Sequence, residues 1–472
     1  MIYDVLIIGA GITGCMTAYR LAAYKLKTAV VEAYGDVSMG ATKANSAIVH
    51  AGFDAECGTL KAKLNVEACA EMPALAKLLD VEYNQCGSLV SAFSEKEEEK
   101  IKELYNRGIK NGVPDLEIVR GERLHKMEPN LSRDVVSALY APTGGIICPW
   151  GLTIAAAESA AVHGTDFYFN FRVNKITKTD DVFTVSCDNR SLQAYRIVNA
   201  AGVWGDYIAS VAGEQDFPIR ITPRRGEYMI LDKSYDTANH ILFSIPSEKG
   251  KGILVSPTVH GNVIVGPNAY AIDDKEDKST TADGLKEISD GAVRLVPSLN
   301  LKTVITSFSG IRPTPNAHDY FIEPSETVVG LVHAVGIESP GFACGPALGN
   351  YIVKKLEETG LKLEKREDYT GARPPILKFN YLDDEGKRKL IESNPNYAKI
   401  VCRCETITEG EIIDAINRPI PALDLDAVKR RTRAGMGRCQ GGFCSMRVAA
   451  IIERETGSSV TKHGGKSWVL GD

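Results

Sequence analysis

A glycine-rich turn between a strand and a helix constrains the fold of this chain more than any other feature. The segment from Tyr3 to Glu32 reads YDVLIIGAGITGCMTAYRLAAYKLKTAVVE, in which the apolar run Val5 to Ile8 precedes the spacing G-x-G-x-x-G. An amphipathic helical pattern and a second apolar run then lead to the acid at position 32. A bare glycine pattern is weak evidence, but this complete order of elements predicts a dinucleotide-binding βαβ unit.

Each residue of this unit has its own physical task. Gly9 permits the tight turn out of the strand, Gly11 lets a pyrophosphate approach the backbone, and Gly14 lets helix and strand pack closely. The N–H groups at the start of the helix favour phosphate binding. Glu32 is placed to accept hydrogen bonds from a ribose, and an acid there argues against NADP, whose extra phosphate prefers a basic neighbour.

Size and charge narrow the class of protein. The chain has 472 residues, which is enough for two or three domains. Its net charge of −5 gives no basic field for nucleic acid. The fold begins at Tyr3, which predicts that no signal peptide precedes it, and no apolar run approaches the roughly 20 residues of a membrane span. We therefore expect a cytoplasmic protein, with peripheral attachment to the inner face of a membrane possible through partners.

Strand and helix patterns alternate along most of the chain, which favours an α/β fold. We predict a Rossmann-type dinucleotide domain over residues 1–365, with inserted β-rich substrate segments at roughly 80–150 and 215–310. A charged segment with several prolines, 366–396, is interpreted as a linker. A small α-rich domain is expected over 397–472.

Four separate motifs give the first part of the chain a family resemblance. They are Gly9 to Gly14 with Glu32, NSAIVHAG (45–52), NAAGVW (199–204), and GIRP (310–313) with GIESPG (336–341). Over about residues 1 to 360 the chain resembles the FAD-dependent oxidoreductases of the D-amino-acid-oxidase and glycerol-3-phosphate-dehydrogenase superfamily. A NAD dehydrogenase would match only the first motif.

The resemblance implies that the dinucleotide is FAD, with NSAIVHAG beside the isoalloxazine ring and the last glycine turn against its pyrimidine side. The residues expected to hold FAD are Gly9, Gly11, Ile12, Thr13, Gly14, Glu32, Thr42, Asn45, Ser46, Ala200, Gly202, Trp204, Gly336, Ser339, Gly341 and Phe342.

Oxidation of an alcohol or amine at a flavin needs a base for the heteroatom proton. His50, in NSAIVHAG, is the leading candidate for this base or for a hydrogen bond to the flavin, and His260, on an expected hairpin, is second; a structural role is the alternative. An anionic substrate needs a cation, and a guanidinium binds carboxylate or phosphate bidentately. Arg312 matches an arginine that the family uses on substrate, and Arg225 is a further candidate beside Arg224, with a surface ion pair as the alternative.

Four cysteines near the C-terminal end form a separate pattern. Cys402-x-Cys404 and Cys439-x4-Cys444 offer four thiolates, which is the ligand set of a [2Fe-2S] cluster. Spacing alone leaves structural zinc and reduced bystander thiols open. The tail resembles the bacterioferritin-associated-ferredoxin-like [2Fe-2S] domain, which occurs in anaerobic glycerol-3-phosphate dehydrogenase and in some amine and opine dehydrogenases, and this resemblance favours iron–sulfur.

Together these features predict a flavoprotein oxidoreductase for a small anionic secondary alcohol. The resemblance indicates sn-glycerol 3-phosphate, oxidised to dihydroxyacetone phosphate, with electrons passing through the cluster to partner subunits or a quinone. The GIESPG turn is instead similar to L-2-hydroxyglutarate oxidoreductases, so a 2-hydroxy acid is one alternative. Two others are a subunit of an amine, opine or proline dehydrogenase, and a non-catalytic electron-transfer subunit.

Overall fold

The computed structural model describes residues 1–233, 237–246 and 252–460, so the end of the predicted C-terminal domain, 461–472, lies outside the described residues. The strands within the described part are β1 (Ile2–Ile8), β2 (Thr28–Val31), β3 (Ile48–Val49), β4 (Tyr83–Asn84), β5 (Ser88–Ala92), β6 (Glu117–Arg120), β7 (Ser137–Ala141), β8 (Gly145–Ile147), β9 (Asp166–Tyr168), β10 (Lys175–Thr179), β11 (Val182–Cys187), β12 (Arg190–Asn199), β13 (Ile221–Leu231), β14 (Ile241–Ser244), β15 (Leu254–Pro257), β16 (Val263–Gly266), β17 (Tyr270–Ala271), β18 (Val304–Pro315), β19 (Phe321–Pro324), β20 (Leu331–Val335), β21 (Ile400–Cys402) and β22 (Ile407–Thr408). The α-helices in the same part are α1 (Ile12–Leu21), α2 (Leu60–Leu78), α3 (Glu95–Asn111), α4 (Gly121–Met127), α5 (Pro149–Val162), α6 (Gly205–Val211), α7 (Ala282–Leu295), α8 (Gly345–Glu358), α9 (Asp384–Ser393), α10 (Glu409–Ile416), α11 (Leu425–Thr432) and α12 (Ser445–Thr456).

The first sheet has the parallel centre that the sequence predicts. β1 pairs in parallel with β2 and β12, β2 pairs with β9, and β12 pairs with β20. The apolar residues of β1 from Val5 to Ile8 are buried, because α1, α5 and α8 cover one face of this sheet. Buried parallel strands read as continuous apolar runs for this reason.

The parallel strands all end at one edge of the sheet. The glycine turn follows β1, and Glu32 follows β2. The NAAGVW motif begins at the last residue of β12, and GIESPG follows β20. Motifs that lie far apart in the sequence therefore meet at the carboxyl edge, where open α/β sheets bind their ligands.

The second sheet belongs to the inserted part of the chain. Its strand order is β17-β13-β16-β15-β14-β5-β7-β6, and β18 pairs along almost the whole length of β13. Its strands lie between residues 88 and 141 and between 221 and 315, close to the predicted insertions. The domain boundaries themselves stay predictions.

The C-terminal part packs against the dinucleotide domain. Its own core includes Val401, Ile412, Val428 and Ile452. The expected linker contains helix α9. Before this helix, Arg373 of the linker binds the buried Glu158 of α5 through Nη1 at 2.7 Å. The connection is thus anchored to the first domain along part of its length.

No helix in the described residues is long and apolar enough to cross a membrane. The cytoplasmic location expected from the sequence stays a prediction.

Candidate functional site

A cavity of about 1000 Å³ opens at the carboxyl edge of the parallel sheet. This is at the upper end of the size range of small-molecule and cofactor sites. The sequence-predicted residues that line it are Gly9, Gly11, Ile12, Thr13, Glu32, Thr42, Asn45, Ser46, His50, Ala200, Gly202, Trp204, Arg312, Ser339, Gly341 and Phe342.

Two glycines of the turn leave no room for a side chain within the protein, and the third leaves the backbone open to the cavity. A Cβ at Gly9, whose φ is +106°, would come within 2.5 Å of the Ala200 carbonyl oxygen. A Cβ at Gly14 would come within 1.9 Å of the Gly9 carbonyl oxygen, so Gly14 acts in packing and does not itself line the cavity. At Gly11 a Cβ would meet only the Thr42 hydroxyl, at 3.2 Å, so on its other sides the backbone there is open to a phosphate.

Glu32 is held at the end of β2 by backbone N–H groups. Its carboxylate accepts hydrogen bonds from the N–H groups of Ala10 at 2.8 Å and Tyr34 at 3.0 Å. Burial raises the pKa of Glu32, and these N–H groups act in the opposite direction. The cradle and the acid therefore fit the diphosphate and ribose of FAD.

The loop before His50 is fixed between the start of helix α1 and the second sheet. Thr42 accepts the N–H of Ile12 at 3.0 Å, and Asn45 donates to the Thr42 carbonyl at 2.7 Å. On the other side this loop touches β18 so closely that a Cβ at Gly310 would lie 1.9 Å from the Ala44 carbonyl oxygen. This packing holds the backbone that leads to His50, whose ring contacts Phe243 with centroids 5.9 Å apart.

The part of the cavity next to the second sheet is basic and polar. Arg224 of β13 and Arg312 of β18 lie opposite each other in the strand register, and both line the cavity. The Arg312 guanidinium has no ion pair with the residues that the structure describes. Ser309 and Asn268 also line the cavity, but Ser309 pairs with Glu227 and the Asn268 amide lies beside the Glu227 carboxylate, so both side chains belong to the face of β13 that carries Arg225. The two guanidinium groups can hold the anionic part of a small substrate.

Besides Gly14, three predicted site residues do not lie on the cavity wall. Successive side chains of a strand point to opposite faces, so Arg225 points away from the cavity that Arg224 lines, and it binds Asp277 at 2.6 Å. Gly336 packs against Pro315, while the turn that follows it reaches the cavity.

His260 is the third, and the hairpin carries it towards the C-terminal domain. Both ring nitrogens are buried without a partner among the described residues. Burial, with Arg433 and Lys378 nearby, lowers the pKa of His260 to about 2, so that it stays neutral. The prediction of a catalytic role for His260 is therefore not supported by its position.

Asn268 and Ser309 were not among the predicted site residues. Neither belongs to a motif, and only the pairing of β13 with its neighbours brings them to the cavity wall. Because side chains alternate along a strand, the sequence predicts that Arg224 and Arg225 point to opposite faces of β13. It does not show which of the two faces the cavity.

The four cysteines form two thiol pairs. Cys404 Sγ and Cys439 Sγ are 3.6 Å apart, and the Cys444 thiol donates to Cys402. Within the described chain, no three His, Cys, Asp or Glu side chains are gathered as ligands of a single metal ion. A zinc site built from four cysteines places all of them around one ion, whereas two ligands per iron suit a [2Fe-2S] cluster, so the pairing fits iron–sulfur better.

Hydrogen bonds within each thiol pair lower the pKa of Cys402 and Cys439, which favours the thiolate form that binds metal, and raise the pKa of their partners Cys444 and Cys404. The Cys444 thiol lowers the pKa of Cys402 to about 6 against the effect of burial, and the N–H groups of Gly435 and Glu405 act in the same direction. The glycines also allow close approach, since a Cβ at Gly437 would lie 2.3 Å from the Cys404 Cβ.

A buried ionic cluster joins the C-terminal domain to the wall of the cavity. Asp36 accepts hydrogen bonds from both Nη atoms of Arg431, at 2.9 and 2.8 Å, and from Arg430 Nη2 at 2.6 Å. Lys43, which lines the cavity, lies near Arg430 and Asp424 of the C-terminal domain. The candidate FAD cavity and the four-cysteine site therefore belong to two parts of the chain that are packed against each other.

Comparison with known protein families identifies two parts of the chain. Residues 4–355 match the family described as FAD dependent oxidoreductase, and residues 400–454 match the BFD-like [2Fe-2S] binding domain. The chain is 43% identical over 461 residues to a glycerol 3-phosphate dehydrogenase of Caloramator mitchellensis, with 98% of this chain and 96% of that protein covered.

A solved structure with FAD bound, the L-alpha-glycerophosphate oxidase of Mycoplasma pneumoniae, superposes with a TM-score of 0.75 at 31% identity and covers 79% of this chain and 99% of its own. One subunit of the Escherichia coli anaerobic glycerol-3-phosphate dehydrogenase is 25% identical, over 96% of this chain and 88% of its own length. The chain therefore belongs to the FAD-dependent oxidoreductase family and carries a BFD-like [2Fe-2S]-binding domain.

Proposed function

We propose that this protein oxidises sn-glycerol 3-phosphate to dihydroxyacetone phosphate. The observation that carries the proposal is the pair of guanidinium groups, Arg224 and Arg312, placed opposite each other on the wall of the candidate FAD cavity. Two planar cations suit a phosphate dianion, which offers more acceptor oxygens than one arginine can bind. The similarity to glycerol 3-phosphate dehydrogenase over almost the whole chain supports the same substrate.

The residues at the cavity have separate roles in the proposed reaction. Arg312 and Arg224 hold the phosphate. His50 accepts the proton of the hydroxyl that becomes the carbonyl. FAD, when bound, supplies the acceptor for the hydride that leaves the same carbon.

The four-cysteine domain supports a dehydrogenase more than an oxidase. A flavin that hands its electrons to O2 needs no further redox centre, whereas a [2Fe-2S] centre passes single electrons to another carrier. We propose that the electrons reach a partner protein. The relation to one subunit of the Escherichia coli anaerobic dehydrogenase supports this.

The proposal is tested by flavin absorbance under anaerobic conditions. We expect stoichiometric bleaching by sn-glycerol 3-phosphate and none by L-2-hydroxyglutarate or proline. Bleaching by L-2-hydroxyglutarate alone would assign the arginine pair to a dicarboxylate. Bleaching by none of the three would make the chain an electron-transfer subunit.

A further inference from the structure

The four-cysteine site has one buried side and one exposed side. Cys402 and Cys444 are buried, whereas Cys404 is exposed. Phe443, which precedes Cys444, is 87% exposed and is the most exposed large hydrophobic side chain in the described part of the chain. Met446, two residues after Cys444, is 60% exposed. The packing of this fold does not explain two such side chains beside a redox site.

Arginines surround the same exposed side. Arg403 lies between Cys402 and Cys404, and Arg438 directly precedes Cys439. Because Cys404 Sγ and Cys439 Sγ are 3.6 Å apart, both arginines lie beside one thiol pair. Arg438 binds Asp232 at 2.6 Å, yet its side chain remains 74% exposed.

A third exposed arginine, Arg447, follows Met446 in the first turn of α12. We call Arg403, Arg438, Phe443, Met446 and Arg447 the Phe443 surface. Aromatic residues, methionine and arginine are enriched in protein–protein interfaces, while lysine is depleted there. Arginine forks also match carboxylates bidentately, so a partner with an acidic rim would be complementary.

The rest of helix α12 favours a protein partner over a lipid surface. The exposed Glu453 and Glu455 follow Arg447 along the same helix. A helix that binds anionic lipid presents an unbroken basic face, whereas Arg454 of this helix is paired with Glu409 and Glu455, so that the basic surface is limited to the first turn.

We propose that the Phe443 surface docks an electron-accepting protein that carries acidic residues around a one-electron centre. The proposal rests on the proposed function only in that electrons leave through the four-cysteine domain. In each encounter the reduced protein loses one electron, and the one-electron centre of the acceptor gains it. No bond forms and no proton is transferred.

Binding is measured first, with the full-length oxidised holoprotein and an acidic c-type cytochrome as the probe. Isothermal titration at low ionic strength gives the dissociation constant, and a basic c-type cytochrome serves as the comparison. We expect Arg447→Glu to weaken binding of the acidic cytochrome by about tenfold or more, because a rim attraction becomes a repulsion. Met446→Ser is expected to weaken it through lost apolar contact. Arg133→Glu makes the same charge change on an exposed residue of the inserted part and is expected to leave binding unchanged.

Electron transfer is measured next, without the substrate. The protein is reduced with dithionite, freed of excess reductant and mixed with the ferric acidic cytochrome in a stopped-flow instrument. The two surface variants are expected to reduce it about tenfold more slowly, while reducing a small neutral dye at the wild-type rate. Since no glycerol 3-phosphate is present, this result does not depend on the substrate assigned above.

Three results would overturn the proposal. One is equal binding of the acidic cytochrome by wild type and both variants. Another is loss, in the variants, of binding to phosphatidylglycerol vesicles while cytochrome binding is kept, which would make the surface a membrane contact. The third is a wild-type dimer in sedimentation that Arg447→Glu dissociates, which would make the occupant a second copy of this chain.

Discussion

Adjacent arginines on one strand have opposite surroundings. Arg224 faces the cavity, whereas Arg225 faces Asp277 and the buried Glu227. Alternation along a strand produces this difference, so neighbouring residues of identical chemistry serve as controls for each other. The same argument makes Arg312, opposite Arg224 in register, a cavity residue.

Replacing Arg312 with alanine is expected to raise KM for glycerol 3-phosphate by about 10- to 100-fold. Loss of a charge-assisted hydrogen bond costs about 1.5–3 kcal/mol, which corresponds to this factor. Steady-state kinetics with a dye acceptor measures it, and Arg225→Ala is the matched control. An equal rise in KM for Arg225→Ala would show that the assignment by strand face is wrong.

His50→Asn tests the proton acceptor. A positioned general base contributes about 10²- to 10⁴-fold, so kcat is expected to fall within that range while bound FAD is retained. Because a base acts only when unprotonated, the wild-type rate should rise with pH through the pKa of this base, and the rate of the variant should not. His318→Asn, on an exposed histidine, should change neither kcat nor the pH profile.

At the scale of elements, the glycines of the turn between β1 and α1 have two different roles. One is needed for packing within the protein, and the other for the approach of a ligand. A methyl group at Gly14 would meet the Gly9 carbonyl at 1.9 Å, within the protein itself. A methyl group at Gly11 would meet only the Thr42 hydroxyl, at 3.2 Å, on the side of the cavity.

We therefore expect Gly11→Ala to lose FAD while the apoprotein keeps its melting temperature to within a few degrees. Gly14→Ala should lose FAD and also about 1–3 kcal/mol of stability, because overpacking strains the backbone. Flavin absorbance per chain and thermal unfolding of the apoproteins measure the two effects. Full FAD content in Gly11→Ala would show that the phosphates lie elsewhere.

At the scale of the whole molecule, Asp36 ties the [2Fe-2S]-binding domain to the flavin domain. Burial raises the pKa of Asp36, but Arg431 and Arg430 outweigh it, so that the pKa falls to about 2. A carboxylate with a depressed pKa stabilises the fold above its unfolded pKa of about 4, and this contribution disappears as the pH falls towards 2. The shift corresponds to about 2 kcal/mol.

Asp36→Asn is expected to loosen the C-terminal domain, because two arginines would remain buried without their anion. Breaking a buried pair costs about 3–5 kcal/mol. Hydrogen exchange in α11 should rise in the variant, and its stability should no longer fall between about pH 4 and 2 through this group. Asp232→Asn removes the partner of the exposed Arg438 and should cost about 1 kcal/mol or less. Unchanged exchange in α11 would mean that other contacts hold the domain.

The sequence by itself determined the parts whose chemistry is local. The spacing of Gly9, Gly11 and Gly14 before Glu32 predicts the dinucleotide turn, because a turn, a close approach and a helix contact need those residues within a short stretch. The spacing of Cys402, Cys404, Cys439 and Cys444 likewise predicts a ligand set, since a cluster needs four thiolates from a short domain. The family resemblance supplied FAD and the iron–sulfur assignment.

Only the tertiary structure decided which side chains face the site. It turned Arg224 inward and Arg225 outward, and it placed His260 against the C-terminal domain. It also placed Asp36 against two arginines almost four hundred positions away. Strand register and domain packing depend on contacts between distant segments, and no short pattern in the sequence carries that information.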